Sequence, residues 1–293
     1  ELPDLQARIQ VGLLNILEEG DVQIRGFPVR LPLDLLLTFS ANPEDYTNRG
    51  RIITPLRDRI RSQIFTHYPR TLDEARAITA QESRTDRPAG VRVSVPEYLR
   101  TVIEEVAFQA RTSELVDQSS GVSARLPIAL TENMLSNAER RAFLTHADDA
   151  TARISDVLAA ISAVTGKIEL VYEGEREGPL AVARHVLGRA VKAVFDRHFP
   201  DAYKAGEEPG SGEGEFQPVV SWFRGGKSIE LSDALPDGEL LQRLAAIPKL
   251  EDIARKYLKT TTPAETAAGM EFVLEGLHQC SLLAKDEIAG GKV

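Results

Sequence analysis

Apolar residues recur at intervals of three and four in one segment after another, and Gly, Pro or Ser separates the segments. A period near 3.6 residues is that of one helix face, so this patterning constrains the chain to a mainly α architecture. Leu2, Leu5, Ile9, Leu13, Ile16 and Leu17 predict an amphipathic helix over residues 3 to 19, with Pro3 in its first turn and Gly20 as its stop. From Thr71 the pattern is almost wholly helical. Thr71 caps a segment running to Ser83. Ser94 and Pro96 open one carrying Tyr98/Leu99, Val102/Ile103, Val106/Ala107 and Ala110. Residues 123 to 137, 150 to 164 and 179 to 197 continue the series, and 237 to 246, 249 to 258 and 263 to 285 end it.

The exceptions are short. Residues 21 to 25 and 29 to 31 flank Gly26-Phe27-Pro28 and predict a hairpin. Residues 33 to 39 (LDLLLTF) form a nearly unbroken apolar run ending at Ser40-Ala41-Asn42-Pro43, as expected of a strand buried on both faces of a parallel sheet. Residues 64 to 67 and 167 to 172 read as further short strands. Residues 218 to 223 and 227 to 231 read as a second hairpin turning at Arg224-Gly225-Gly226. Residues 205 to 215 (AGEEPGSGEGE) hold four glycines and four glutamates and predict a flexible linker. The expected organisation is therefore an α/β segment over 1–70, a helical region over 71–165, a strand and helix extension over 166–204, the linker, and a hairpin plus helical region over 216–293.

Charge is unevenly distributed. The formal net charge is −9, yet residues 1 to 70 hold nine arginines against nine acids, so the excess lies beyond them. No basic stripe for nucleic acid is present. Arg49, Arg51, Arg57, Arg59 and Arg61 fall within thirteen residues, which is either a solvated face or an anion site. Cys280 is the only cysteine, and the five histidines lack metal-ligand spacing, so no disulfide and no metal centre are expected. The sequence has no run of eighteen apolar residues, and a soluble cytoplasmic location is expected. Gly225-Gly226-Lys227-Ser228 is not a phosphate-binding loop, because Ser221 stands where its first glycine belongs.

Glu18-Glu19-Gly20, Arg25-Gly26, Ser40-Ala41-Asn42-Pro43-Glu44 and Leu56-Arg57-Asp58-Arg59-Ile60, in that order, resemble the second half of an AAA+ ATPase core of the MoxR and magnesium-chelatase branch. The resemblance covers residues 1 to about 140. It implies a partial α/β AAA+ core at the N-terminus, a helical lid, ATP and Mg²⁺ bound between subunits of a ring (expected as a hexamer), and remodelling of a partner, often one with a von Willebrand factor A-type domain. It assigns Asn42 to the polar sensor at the tip of a central strand; the local alternative is a turn cap before Pro43. It assigns Arg59 to the arginine finger reaching the adjacent subunit's nucleotide, with Arg51, Arg57 and Arg61 as competitors. Arg125 takes the place of the lid-helix sensor, or is an exposed helix arginine.

Glu1 takes the place of the Walker B carboxylate that orients attacking water, or is an ordinary acid before a helix. Since the chain opens on Glu1 rather than Met, a cut inside a longer protein is expected, falling where the Walker B strand meets its helix. With no phosphate-binding loop in the sequence, the 293 residues alone are expected to be inactive. Two alternatives stand beside this reading: an activator ATPase of the alternative-sigma-factor type, similar in its ELP opening and Leu-Glu-Glu-Gly helix end, and a non-catalytic helical interaction module.

Overall fold

A computed structural model describes residues 1–18, 20–30, 36–41, 51–86, 90–202 and 214–286. The chain divides into two compact units, residues 1–67 and 68–293.

In the first unit the periodic segment forms helix α1 (Ala7–Glu18), four residues later than its spacing predicts. The Leu2 amide donates to the Ser40 carbonyl at 2.9 Å, so the opening residues bridge to another segment instead of continuing the helix. An antiparallel hairpin follows, β1 (Asp21–Ile24) and β2 (Phe27–Arg30), turning through Arg25 and Gly26. Both have positive φ, 51° and 84°, as a two-residue primed turn requires. Helix α2 (Thr54–Arg59) starts on Pro55 in its first turn.

The fully enclosed residue of α1 is polar. Gln10 donates from Nε2 to the carbonyls of Leu5 at 2.9 Å and Arg51 at 3.2 Å, and its Oε1 accepts the Ile53 amide at 2.8 Å. A buried amide with every group satisfied fixes geometry without a desolvation penalty. It ties α1 to the residues that open α2. Leu2, Pro3 and Leu56 are the buried apolar side chains among the described residues of this unit.

The described part of the parallel strand expected over residues 33 to 39 does not form one. Residues 36 to 39 are irregular, and Leu36 is 91% exposed; residues 31–35 lie outside the described residues. The strand expected at 64 to 67 is likewise irregular, with Ile64 and Phe65 exposed. A strand forms only where a neighbour pairs with it, and neither segment has one among the described residues.

The second unit is helical: α3 (Leu72–Glu82), α4 (Glu97–Arg111), α5 (Arg125–Thr145), α6 (Ile154–Ala159), α7 (Ser162–Thr165), α8 (Tyr172–Glu177), α9 (Pro179–His198), α10 (Gln217–Arg224), α11 (Asp237–Leu244), α12 (Leu250–Leu258) and α13 (Pro263–Gln279). Strands β3 (Arg92–Ser94) and β4 (Asp149–Thr151) pair in parallel. Helix α4 packs along α9, and α13 packs on α9, α11 and α12.

One core runs through the unit. Phe195 and Phe199 of α9 stack at 4.5 Å between centroids, and Phe216 and Phe272 lie against both. Residues 203–213, which include most of the expected linker, lie outside the described residues.

Three expectations need correction here. The second hairpin does not exist: residues 217–224 are helix α10 and 227–231 are irregular. Phe216, Val219, Val220 and Phe223 follow helical spacing with Pro218 in the first turn, and burial beside Phe195 selects that period. The strand at 167 to 172 reduces to one bridge, Leu170 opposite Val116. The helix expected over 150 to 164 splits into β4, α6 and α7, because residues 149–151 pair with β3 and Arg153 is the extended cap of α6.

Helix α13 approaches its neighbours through glycine. A Cβ at Gly276 would overlap the Phe195 ring, which its aromatic neighbours hold in place. Gly276→Ala should therefore cost about 1–2 kcal/mol despite alanine's better helix propensity. A lowered midpoint in urea unfolding checks this; an unchanged or raised midpoint would mean that the ring gives way.

Candidate functional site

Within the first unit, the Leu2 to Ser40 hydrogen bond sets Glu1 beside the segment leading to Asn42. Glu1 is exposed. Asn42 lies outside the described residues, as does Arg49. Arg59, in the last turn of α2, is engaged within its own chain. Its Nη2 pairs with Glu18 Oε1 at 2.6 Å, and its Nη1 donates to the Pro55 carbonyl at 2.7 Å. Its Nε is buried without a partner. The Arg57 and Arg61 side chains are exposed and have no partner among the described residues. Gln10 grips the Arg51 carbonyl and the Ile53 amide, so one buried side chain of α1 sets where α2 and its arginines begin.

Arg125 belongs to the second unit, where it opens α5. The preceding loop is built to a fixed shape. Arg111 stacks on the Tyr68 ring at 4.0 Å and donates through Nε and Nη2 to the Val122 carbonyl, while the Val122 amide donates to the Tyr68 hydroxyl at 3.1 Å. Gly121 has φ 71°, and a Cβ there would overlap that hydroxyl. Burial pulls the Arg111 guanidinium down from its usual range, opposed by Tyr68 and Glu104, while burial pushes the Glu104 carboxyl up. The Arg125 amide donates to Ser123 Oγ at 3.1 Å, and its exposed guanidinium has no partner among the described residues. A free guanidinium at the positive end of a long helix suits an anionic oxygen.

A buried ionic network in the same unit has no counterpart in the sequence reading. Arg141 of α5 donates from Nη1 to Asp156 Oδ1 and from Nη2 to the Thr151 carbonyl, each at 2.6 Å. The Arg153 amide donates to Asp156 Oδ2 at 2.9 Å, and its guanidinium reaches the Leu235 carbonyl and the Asp237 carboxylate. Burial pushes the Asp156 carboxyl up, and both arginines oppose that rise. The one available signal was Arg141 itself, a charged residue on the apolar face made by Leu130, Met134 and Ala138.

Beside this network is a cleft of about 530 Å³, lined by β3, β4 and the first turns of α11 and α13. Asp237 accepts the Thr151 amide, and Glu265 caps α13 by accepting the Thr261 and Thr262 amides, so the chain's own carboxylates occupy both helix ends.

Among the described residues no group of three or more His, Cys, Asp or Glu could hold a metal ion, and no helix is long and apolar enough to cross a membrane. No protein-family model, curated protein or solved structure matches the chain.

Proposed function

We propose that this chain is the carboxyl-terminal part of a MoxR/magnesium-chelatase-like AAA+ ATPase that couples ATP hydrolysis to remodelling of a partner protein. The observation that carries the reading is the order of its motifs: Glu18-Glu19-Gly20, Arg25-Gly26, Ser40-Ala41-Asn42-Pro43 and Arg57-Asp58-Arg59. Three features support it. A backbone hydrogen bond from Leu2 to Ser40 draws Glu1 toward residues 36–41, Gln10 couples α1 to the arginine-bearing α2, and Arg125 presents a free cation at the head of α5. In this reading Glu1 orients water, Asn42 and Arg125 contact the γ-phosphate, and Arg59 serves the nucleotide of the next subunit in a ring. ATP and Mg²⁺ supply the phosphoryl group and the charge that bridges it. The partner is a protein, with a von Willebrand factor A-type domain as the first candidate.

A polypeptide limited to these 293 residues should show no magnesium-dependent ATP hydrolysis, because no glycine-rich phosphate loop occurs in it. A longer protein carrying such a loop upstream should turn over ATP. Turnover by the 293 residues alone, or none by the longer protein, would overturn the reading. One observation favours the non-catalytic interaction module: Arg59 is already paired with Glu18. A docking module would keep its partner interaction when Arg59 is changed and would show no nucleotide turnover.

A further inference from the structure

The cleft beside the buried ionic network has a floor whose charges are uncommitted. Parallel register sets Arg92 of β3 opposite Asp149 of β4, and Ser94 opposite Thr151. Side chains two positions apart on a strand share a face, and neighbouring strands run about 4.8 Å apart, so these four residues form one patch of the sheet. All four line the cleft. The Ser94 and Thr151 hydroxyls meet at 3.0 Å, and whichever of them accepts keeps its own proton to offer. Arg92 and Asp149 are exposed, and neither side chain has a partner among the described residues, the other included.

The walls sort the ligands that fit. Asp237 is engaged by Arg153 and the Thr151 amide, and Glu265 by the Thr261 and Thr262 amides, so both carboxylates are held in place while keeping their charge. With Asp149 they give the lining three carboxylates against one arginine, which repels phosphate esters and other polyanions. Among the described residues no group of three or more His, Cys, Asp or Glu converges as a metal ion requires. Beside the polar floor, Gly238, Pro263 and Ala264 offer small uncharged surface, and a Cβ built on Gly238 meets nothing within 4 Å. The volume, about 530 Å³, is that of a small-molecule site.

We propose that this cleft binds a free α-amino acid, its carboxylate on Arg92 and its ammonium on Asp149. Such a ligand carries opposite charges on one carbon, and the floor carries opposite charges at one register position. The guanidinium donates two parallel N–H bonds to a carboxylate, and the ammonium donates to the Asp149 carboxylate. The spare hydroxyl proton of the Ser94–Thr151 pair is a further donor to the ligand carboxylate, and the ligand side chain lies toward Gly238, Pro263 and Ala264. Thr151 gives its carbonyl to Arg141 and its amide to Asp237, so the buried network holds the floor in a preorganised shape.

The test is binding of the standard free L-amino acids to the 293-residue chain, one at a time at millimolar concentration with L-leucine as the first probe, read by isothermal titration calorimetry. At least one should bind. Its N-acetyl derivative, which lacks the ammonium, and its carboxamide, which lacks the carboxylate, should each bind about tenfold more weakly or worse. Arg92→Met should cause the same loss with the free amino acid but little further loss with the carboxamide, and Asp149→Asn little further loss with the N-acetyl derivative. Both side chains are exposed, so the variants should keep the circular dichroism spectrum and unfolding midpoint of the unsubstituted chain. The measurement reads binding alone and does not depend on ATP turnover. Binding by none of the amino acids, or binding that neither substitution weakens, would overturn the proposal.

Discussion

Replacing Asp156 with alanine should destabilise the 68–293 unit by about 3–5 kcal/mol. The reason is the state of its partner rather than the strength of the pair. Arg141 and Asp156 each expose 2% of their side chains, so removing the carboxylate leaves a guanidinium buried in a helical core whose remaining counter-charge is Asp237, 4.0 Å from Nε and shared with Arg153. The Thr151 carbonyl remains as an acceptor, but a carbonyl dipole does not neutralise a full charge. The Arg153 amide at the start of α6 also loses its acceptor, which weakens the helix where β4 hands over to it. Chemical unfolding followed by circular dichroism is the direct measurement. The midpoint should fall with little change in slope, and Arg141→Met with Asp156→Leu in one protein should recover much of the loss. A loss below about 1 kcal/mol for Asp156→Ala would show that water reaches the guanidinium.

Replacing Arg59 with alanine has the largest expected effect on activity. On the ATPase reading, turnover by the longer, loop-bearing protein should drop by roughly 10³ to 10⁵ while nucleotide binding persists. Such an arginine acts on charge that develops during transfer, so its loss appears in kcat rather than in affinity for the bound nucleotide. The pair with Glu18 is no obstacle. Its side chains are 30% and 51% exposed, and an ion pair in that setting is worth roughly 0 to 1 kcal/mol, little against a nucleotide's phosphates. Arg57→Ala and Arg61→Ala are the controls. If one of them produces the large loss instead, the free cation rather than the tethered one is the finger. Steady-state hydrolysis with a nucleotide-binding measurement on each variant separates these outcomes.

The helices were legible wherever the sequence alone decides them. Thr71 caps α3 and Thr262 caps α13 through their own hydroxyls, and the apolar stripe from Tyr98 to Ala110 is buried along α4. Failures came where a distant segment overrides a local pattern. Residues 218 to 223 are apolar enough for a strand until Phe216 meets Phe195, after which helical spacing buries Val219 and Val220. Residues 150 to 164 look like one helix until β3 claims the first of them. Of the four site residues, Arg125 is where its sequence context puts it, at the head of a helix. The partner of Arg59 lies 41 positions away and no local pattern announces it. The buried arginines were unreadable for the same reason, since their acceptors come from Thr151, Asp156, Leu235 and Asp237.

The glycine seating of α13 has a mechanical consequence. Where a helix rests on side chains, rotamer changes let it shift by small increments, as on a cushion. Where Gly276 receives the Phe195 ring, which its aromatic neighbours hold in place, backbone meets ring with nothing compressible between them. Small displacements then lose contact on one side and collide on the other, so α13 has one closely defined resting position. A part built in that way resists sliding as a keyed joint does, so changes anywhere along it are felt at the key.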